Sequence, residues 1–304
     1  MSTGAAPDEG VDPPAGKRLG LWMCTALVVG NMIGSGVFVL PAALAAYGPI
    51  SIAGWIVTSS GAIVLALIFG RLARLVSRTG GPYAYTRDAF GEYAGFMIAW
   101  GYWIALWAGN AAVAVAFAGY VGFLVPAIAS SQIASLATAL AAIWLLTWIN
   151  VRGVREAGLV QVSTTILKIV PLGMVGILGL AHVDNAYFSP ANVSDVSDIN
   201  AVAACAALTL WAFLGLESAT VPAGNVERPE RTIPLATVIG TTLAATVYIL
   251  VTIVAFGVLP TADLRASTAP LAEIATVMWG GAGACSSQRP PASRRSERST
   301  ALPS

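Results

Sequence analysis

Seven long apolar runs dominate the sequence. Each contains about 20 or more mostly apolar residues, the length that an α-helix needs to cross the hydrocarbon core of a bilayer. A further apolar stretch, residues 271–279, is too short to cross. The pattern predicts an all-α membrane fold, a multi-helix bundle with about seven spans. The predicted spans are residues 19–46, 50–75, 93–125, 133–151, 159–180, 201–223 and 233–259.

The composition narrows the class of protein further. Hydrophobic residues make up 57% of the 304 positions and charged residues only 10%, whereas an average soluble domain is roughly 25% charged. A soluble globular protein is therefore excluded. The net charge of +1 offers no basic patch, so we expect no nucleic acid partner. The three cysteines form no CxxC motif or Cys/His cluster, and no nucleophile–base pair is visible. We therefore expect no metal site, no cofactor and no enzyme activity.

The lysines and arginines of the loops predict the orientation. Under the positive-inside rule, cytoplasmic loops carry an excess of these residues. The loops on the opposite side carry Arg265. The N-terminus is therefore predicted to be cytoplasmic, with residues 1–18 as a disordered arm before a transmembrane domain at 19–284 in the cell membrane. The residues that set this bias are Lys17, Arg18, Arg71, Arg74, Arg78, Arg87, Arg152, Arg155, Arg228 and Arg231.

Two of the spans contain glycine-rich interruptions. Span one contains Gly34, Ser35 and Gly36, and span six contains Gly215 shortly before Glu217. Interrupted helices at corresponding places in two halves of a membrane protein point to a transporter site near the midplane. Their half-helix ends would bind both charged groups of a zwitterion that carries a carboxylate and an amine. The alternative is that these glycines are packing notches between helices.

Most tryptophans are expected at the membrane interfaces and not at a binding site. The chain contains nine, and tryptophan gathers at membrane interfaces for general reasons. Trp211 differs because it lies beside the interruption of span six. The tryptophans that we assign to the interfaces are Trp22, Trp55, Trp144, Trp148 and Trp279.

The interruptions and several other motifs resemble the amino acid–polyamine–organocation (APC) transporters, and in particular the basic amino acid/polyamine antiporter branch, which includes arginine:agmatine exchangers. The resemblance implies the leucine-transporter type of fold, a five-plus-five inverted repeat. It also implies secondary transport of amino acids or polyamines by alternating access, either as an exchanger or as a proton-coupled permease. It leaves a homodimer in the lipid bilayer open. The motifs are residues 31–38 with Pro41, 80–85, 102–103 with Asn110, 210–218, 225–229 and 233–234.

The resemblance implies a role for each matching residue. Ser35 and Gly36 would bind the substrate carboxylate, and Trp211 would form an aromatic wall. Ala212 stands where the arginine exchangers have a serine, which weakens the case for arginine. The substrate-binding residues would be Met32, Gly34, Ser35, Gly36, Ala105, Asn110, Trp211 and Leu214. The gate residues would be Tyr83, Tyr102 and Glu217. The alternative for Glu217 is a carboxylate that bonds to backbone and stabilises the break.

Lys168 lies within the fifth span, where a charge costs roughly 2.5–3.5 kcal/mol on insertion scales. Such a residue is a functional candidate, and a lysine that alternates between a pocket and water can carry a proton. Other branches of the superfamily have a lysine there that is implicated in proton coupling. The alternative is a fixed cation that replaces a bound sodium and bonds to carbonyls of helix one.

The end of the sequence departs from the resemblance. The family needs ten to twelve helices, and this chain stops near the start of helix eight. Residues 285–304 are polar and rich in Ser, Pro and Arg, so we expect a disordered, out-of-frame tail. The alternative is a regulatory tail. On the first interpretation the chain is C-terminally truncated and an inactive fragment. The competing function is a seven-helix receptor or sensor, which the interrupted helices argue against.

Overall fold

The regular structure of the protein is helical throughout the described ranges. A computed structural model describes residues 19–34, 36–76, 79–152 and 154–280. The predicted arm at 1–18, the predicted tail at 285–304 and Ser35 lie outside them. The helices of the predicted spans are α1 (Leu21–Met32), α2 (Gly36–Leu44), α3 (Ser51–Leu75), α5 (Glu92–Leu124), α7 (Gln132–Arg152), α8 (Val154–Leu178), α9 (Asp198–Leu210) and α10 (Pro229–Val258). The remaining helices are α4 (Pro82–Phe90), α6 (Pro126–Ala129), α11 (Thr261–Ala266) and α12 (Pro270–Trp279).

The seven predicted spans coincide with apolar helices. Among the residues that the structure describes, five segments are long and apolar enough to cross a membrane, namely Leu21–Leu44, Ser51–Leu75, Glu92–Leu124, Ser163–His182 and Pro229–Val258. Spans four and six correspond to shorter apolar helices, which run over Gln132–Trp148 and Asp198–Phe213. The predicted all-α membrane fold is confirmed. Within the predicted span 201–223, α9 ends at Leu210 and the chain continues as a short 3₁₀ turn and then irregular backbone, which agrees with the interruption predicted around Gly215.

Small residues allow an inner group of helices to pack closely around α10. A side-chain carbon added at Gly240 would lie 2.7 Å from Val28 of α1, and one added at Gly70 would lie 2.9 Å from Pro234 of α10. One added at Gly54 of α3 would lie 2.5 Å from Cys205 of α9. Such close backbone approach drives helix association in lipid, where the hydrophobic effect between helices is absent. Helices α1, α3, α9 and α10 therefore form the core of the bundle.

Four of the five tryptophans assigned to the interfaces are exposed, but Trp55 is only 1% exposed. Its ring lies 5.0 Å from that of Tyr248 and 6.0 Å from that of Phe213. The interface assignment of Trp55 is therefore wrong. This residue packs inside the bundle because α3 turns it towards α9 and α10, away from lipid.

Backbone hydrogen bonds connect three chain segments on the predicted cytoplasmic side. The N–H of Leu19 donates to the carbonyl of Asn225 at 2.8 Å, and the N–H of Glu227 donates back to Leu19 at 3.0 Å. The N–H of Gly80 donates to Val221 at 3.1 Å. The segment that follows the break in span six thus holds both the start of span one and the glycine turn before α4.

Candidate functional site

The first span is broken between α1 and α2, as predicted. The α1 helix ends at Met32, the backbone leaves the helical region at Ile33 (φ −75°, ψ 76°), and α2 begins at Gly36. A break in a membrane helix frees backbone carbonyls that lipid cannot satisfy. Three of them accept hydrogen bonds from side chains of other helices. These carbonyls belong to Gly30, Met32 and Ile33.

The sixth span is broken directly after α9. Residues Trp211–Phe213 form one 3₁₀ turn, Leu214 is extended (ψ 133°), and Gly215 has a φ of +104°. That φ lies in the left-handed region, which a residue with a side chain adopts only under strain. The glycine therefore allows the reversal by which the chain leaves the α9 axis at mid-span.

The two breaks are in direct contact. A side-chain carbon at Gly215 would lie 2.9 Å from Cβ of Asn31 and 3.2 Å from the N atom of Met32. One at Gly36 would lie 3.0 Å from Cβ of Ala212. Both contacts depend on the absence of a side chain, so the glycines that break the helices also allow the breaks to meet.

Tyr248 of α10 connects the two breaks, and sequence reasoning missed it. Its hydroxyl hydrogen is shared between the carbonyl of Met32 and that of Ala212, the latter at 3.0 Å. The residue is 1% exposed and packs against Trp55 and Phe213. The available signal was a single polar aromatic residue at the middle of an apolar run, which a lipid-facing tyrosine shares.

The Tyr248→Phe variant tests this connection. It keeps the ring and its packing but leaves two buried carbonyls without their donor. We expect a loss of about 1–3 kcal/mol in the free energy of unfolding, measured by denaturant titration in detergent. The control is Tyr93→Phe, because Tyr93 is 78% exposed and should change stability little. Equal stability of the two variants would contradict the proposed role of the hydroxyl.

Lys168 of α8 reaches the first break. Its Nζ donates to the carbonyl of Gly30 at 3.2 Å and to that of Ile33 at 3.0 Å. These bonds to helix-one carbonyls are the ones expected of a fixed cation. They also place the ammonium of Lys168 beside the residues predicted to bind a substrate carboxylate. Loss of its proton would therefore change the charge next to that predicted site.

Glu217 follows the second break and is 8% exposed. Its carboxylate accepts a hydrogen bond from the N–H of Gly215 at 3.1 Å, which is the contact expected if it stabilises the break. The Tyr102 phenol of α5 lies near this carboxylate. Two of the three predicted gate residues therefore lie together.

Residues 19–284 of the chain match the family model described as amino acid permease. The chain belongs to the amino acid permease family. The resemblance inferred from its motifs is thus confirmed. The chain is 38% identical over 268 residues to a cadaverine/lysine antiporter of Escherichia coli, covering 87% of this chain and 59% of that protein.

Two further relatives are similar in extent. A putrescine transporter (PotE) of Haemophilus influenzae is 36% identical over 255 residues, covering 84% of this chain and 58% of the relative. A putative arginine/ornithine antiporter of Bacillus subtilis is 32% identical over 298 residues, covering 88% and 63%. The chain therefore spans about three fifths of the length of these relatives.

The other predicted binding residues of the chain lie at the second break or on α5. Trp211 is half-buried in the 3₁₀ turn, whereas Leu214 is 56% exposed. The α5 helix approaches the first break where Val113 faces Gly34. Ala105 and Asn110 lie on that helix, and Asn110 is exposed.

Tyr83, the third predicted gate residue, has different partners from Glu217 and Tyr102 in the described structure. Its hydroxyl accepts a hydrogen bond from Nη1 of Arg87 at 3.3 Å, and Arg87 forms an ion pair with Glu92. The adjoining turn is anchored beside the segment after the second break, because a side-chain carbon at Gly81 would lie 2.5 Å from the Thr220 hydroxyl. The turn before Tyr83 therefore contacts the same backbone segment that carries Glu217.

Proposed function

We propose that this chain is a secondary transporter, or the N-terminal part of one, that moves amino acids or polyamines by alternating access. The observation that carries the proposal is the direct contact between two broken helices, with the ammonium of Lys168 bound to one break and the carboxylate of Glu217 to the other. Family membership supports transport over the receptor alternative. No feature of the described residues favours a receptor.

The carboxylate of an amino acid substrate would bind at the start of α2, through Ser35 and the backbone of Gly36. Helix N-termini present free N–H groups and a partial positive charge, which suit an anion. The substrate amino group would face backbone carbonyls of the second break, at Trp211 and Leu214. Because Gly36 touches Ala212, these two ends lie close enough to bind one small zwitterion.

The side chain of the substrate would extend towards α5, where Ala105 and Asn110 lie, with Trp211 as the flanking wall. The three relatives are named for cadaverine and lysine, putrescine, and arginine and ornithine. These compounds share an aliphatic chain that carries a cationic nitrogen. We therefore propose a basic amino acid or a polyamine as the substrate class, with Ala212 disfavouring arginine.

Exchange in proteoliposomes tests the function. Two proteins are compared, the 304-residue chain and residues 1–284 joined to the C-terminal part of the Escherichia coli cadaverine/lysine antiporter. We expect the chimera, loaded with unlabelled lysine, to take up labelled lysine or cadaverine in exchange, and not labelled leucine. Exchange of none of the cationic compounds would reject the proposed substrate class, and binding without translocation would favour a receptor.

Trp211→Leu tests the aromatic wall in the same chimera. Loss of an aromatic face opposite a cationic or aliphatic chain should weaken substrate binding about tenfold, equivalent to about 1.4 kcal/mol. Binding is measured by scintillation proximity with labelled lysine. The control is Trp144→Leu, because Trp144 is 70% exposed and lies on α7, away from both breaks. Equal affinities in the two variants would place Trp211 outside the binding site.

The orientation that we propose places the N-terminus in the cytoplasm of the cell. In a background without the three native cysteines, a cysteine at Asn192 should react with an impermeant maleimide from outside intact cells. A cysteine at Glu230 should react only after the cells are opened. The reverse pattern would reject the orientation.

Crosslinking in the same membranes would detect the homodimer that the family resemblance leaves open.

A further inference from the structure

A groove lies between α3 and α10 near their predicted cytoplasmic ends. Its volume is about 450 Å³. At its floor Gly70 meets Pro234, whose Cβ would be 2.9 Å from any side-chain carbon on the glycine. The two helices are thus in tight contact at this point of the groove wall.

Two arginines line one end of this groove. Arg71 and Arg74 are three residues apart on α3, a spacing that places both side chains on one face of a helix. Nε of Arg74 donates to the carbonyl of Glu230 at 3.0 Å, which fixes the side chain and leaves its two terminal nitrogens for another acceptor. Within the described ranges, neither arginine forms an ion pair with a carboxylate. Two permanent positive charges therefore lie unneutralised beside one recess.

The remaining walls of the groove are apolar. Leu67 lies one turn before Arg71 on α3, and Val238 lies one turn after Pro234 on α10. Both residues are on the side of the arginines that runs deeper into the predicted membrane. The groove therefore combines a cationic end at the level of the lipid headgroups with an apolar channel at the level of the acyl chains.

We propose that this groove binds an anionic phospholipid, with the lipid phosphate between Arg71 and Arg74 and one acyl chain along Leu67 and Val238. Arginines near the ends of membrane helices generally extend towards the interface. This general tendency does not by itself explain why two of them lie beside one apolar recess. Basic pockets between helices on the cytoplasmic side are suited to anionic headgroups. A free phosphate would satisfy the arginines but not the apolar walls, so the occupant is a lipid.

Native mass spectrometry of the 304-residue chain in detergent tests the site. Dioleoyl phosphatidylglycerol and dioleoyl phosphatidylcholine are titrated separately, and glycerol 3-phosphate serves as the headgroup without acyl chains. We expect the anionic lipid to bind more tightly than the other two. The double variant Arg71→Gln/Arg74→Gln should bind it about thirtyfold more weakly, which corresponds to about 2 kcal/mol for two arginines. The matched control is Arg231→Gln, an exposed arginine on the same predicted side that does not line the groove.

Three results would overturn the proposal. Equal binding of the two lipids by the unchanged chain would remove the role of charge, and this comparison decides even where the double variant fails to fold. Glycerol 3-phosphate binding as tightly as phosphatidylglycerol would show a simple anion site. Loss of lipid binding in Arg231→Gln as large as in the double variant would show a general surface charge effect.

Discussion

The Gly215→Val variant should be severely destabilised. At a φ of +104°, a β-branched residue is strongly strained, and its side chain would overlap Asn31 and the backbone of Met32. Strain of this kind costs about 1–3 kcal/mol and overpacking a further 1–3 kcal/mol. We therefore expect a loss of about 3 kcal/mol or more in the free energy of unfolding, together with separation of the two breaks. The measurement is thermal unfolding in detergent, followed by tryptophan fluorescence.

Gly61→Val provides the matched control. Gly61 lies within α3, has nothing within 4 Å of its missing side chain and is exposed on the outside of the bundle. A valine there should change stability little, because it meets only lipid or detergent. If both variants unfolded at the wild-type temperature, the two breaks could not be packed as tightly as their contacts indicate.

Lys168→Ala should have the largest effect on transport. The variant leaves the carbonyls of Gly30 and Ile33 without donors, at a cost of about 1–3 kcal/mol for each. We propose that Lys168 also carries the coupling proton. Uptake driven by a pH gradient should then be abolished in the chimera, whereas exchange of substrate for substrate should partly persist. Both activities are measured in proteoliposomes, with and without an imposed pH gradient.

Lys168→Arg separates the proton carrier from the fixed cation. Arginine keeps the positive charge but does not release a proton in proteins. A proton carrier would lose gradient-driven uptake on this change, and a fixed cation would keep it. Gradient-dependent accumulation by the arginine variant would therefore reject the coupling role. A wild type that ignores the gradient would favour plain exchange.

The spans were predictable because lipid leaves the backbone few choices. Every N–H and C=O in the hydrocarbon core must be bonded within the protein, so a long apolar run becomes a helix. The same rule made the breaks visible, since glycines such as Gly34 and Gly215 stand out in an apolar run. The end of α9 was not predictable to the residue, because the sequence stays apolar through Leu214 and hydropathy does not register the loss of helical bonds.

The partners of the breaks could not be predicted from hydropathy. Tyr248 and Trp55 lie in apolar runs where an aromatic residue has the same appearance whether it faces lipid or a neighbouring helix. Their burial depends on how α3 and α10 are rotated about their axes, which packing decides. Lys168 was noticeable because a charge in a span has few explanations, but its two carbonyl partners emerge only from the arrangement of α8 beside α1.

The two hydrogen bonds between Leu19 and the segment 225–227 determine which mutations can reveal this contact. Both hydrogen bonds join main-chain atoms, with Leu19 and Glu227 each supplying one N–H group. Alanine substitutions at these positions would therefore leave both bonds intact, since every residue but proline keeps the amide hydrogen. A proline at either position removes one of the two bonds, so a screen for the connection between the start of span one and the region after span six must use proline substitutions.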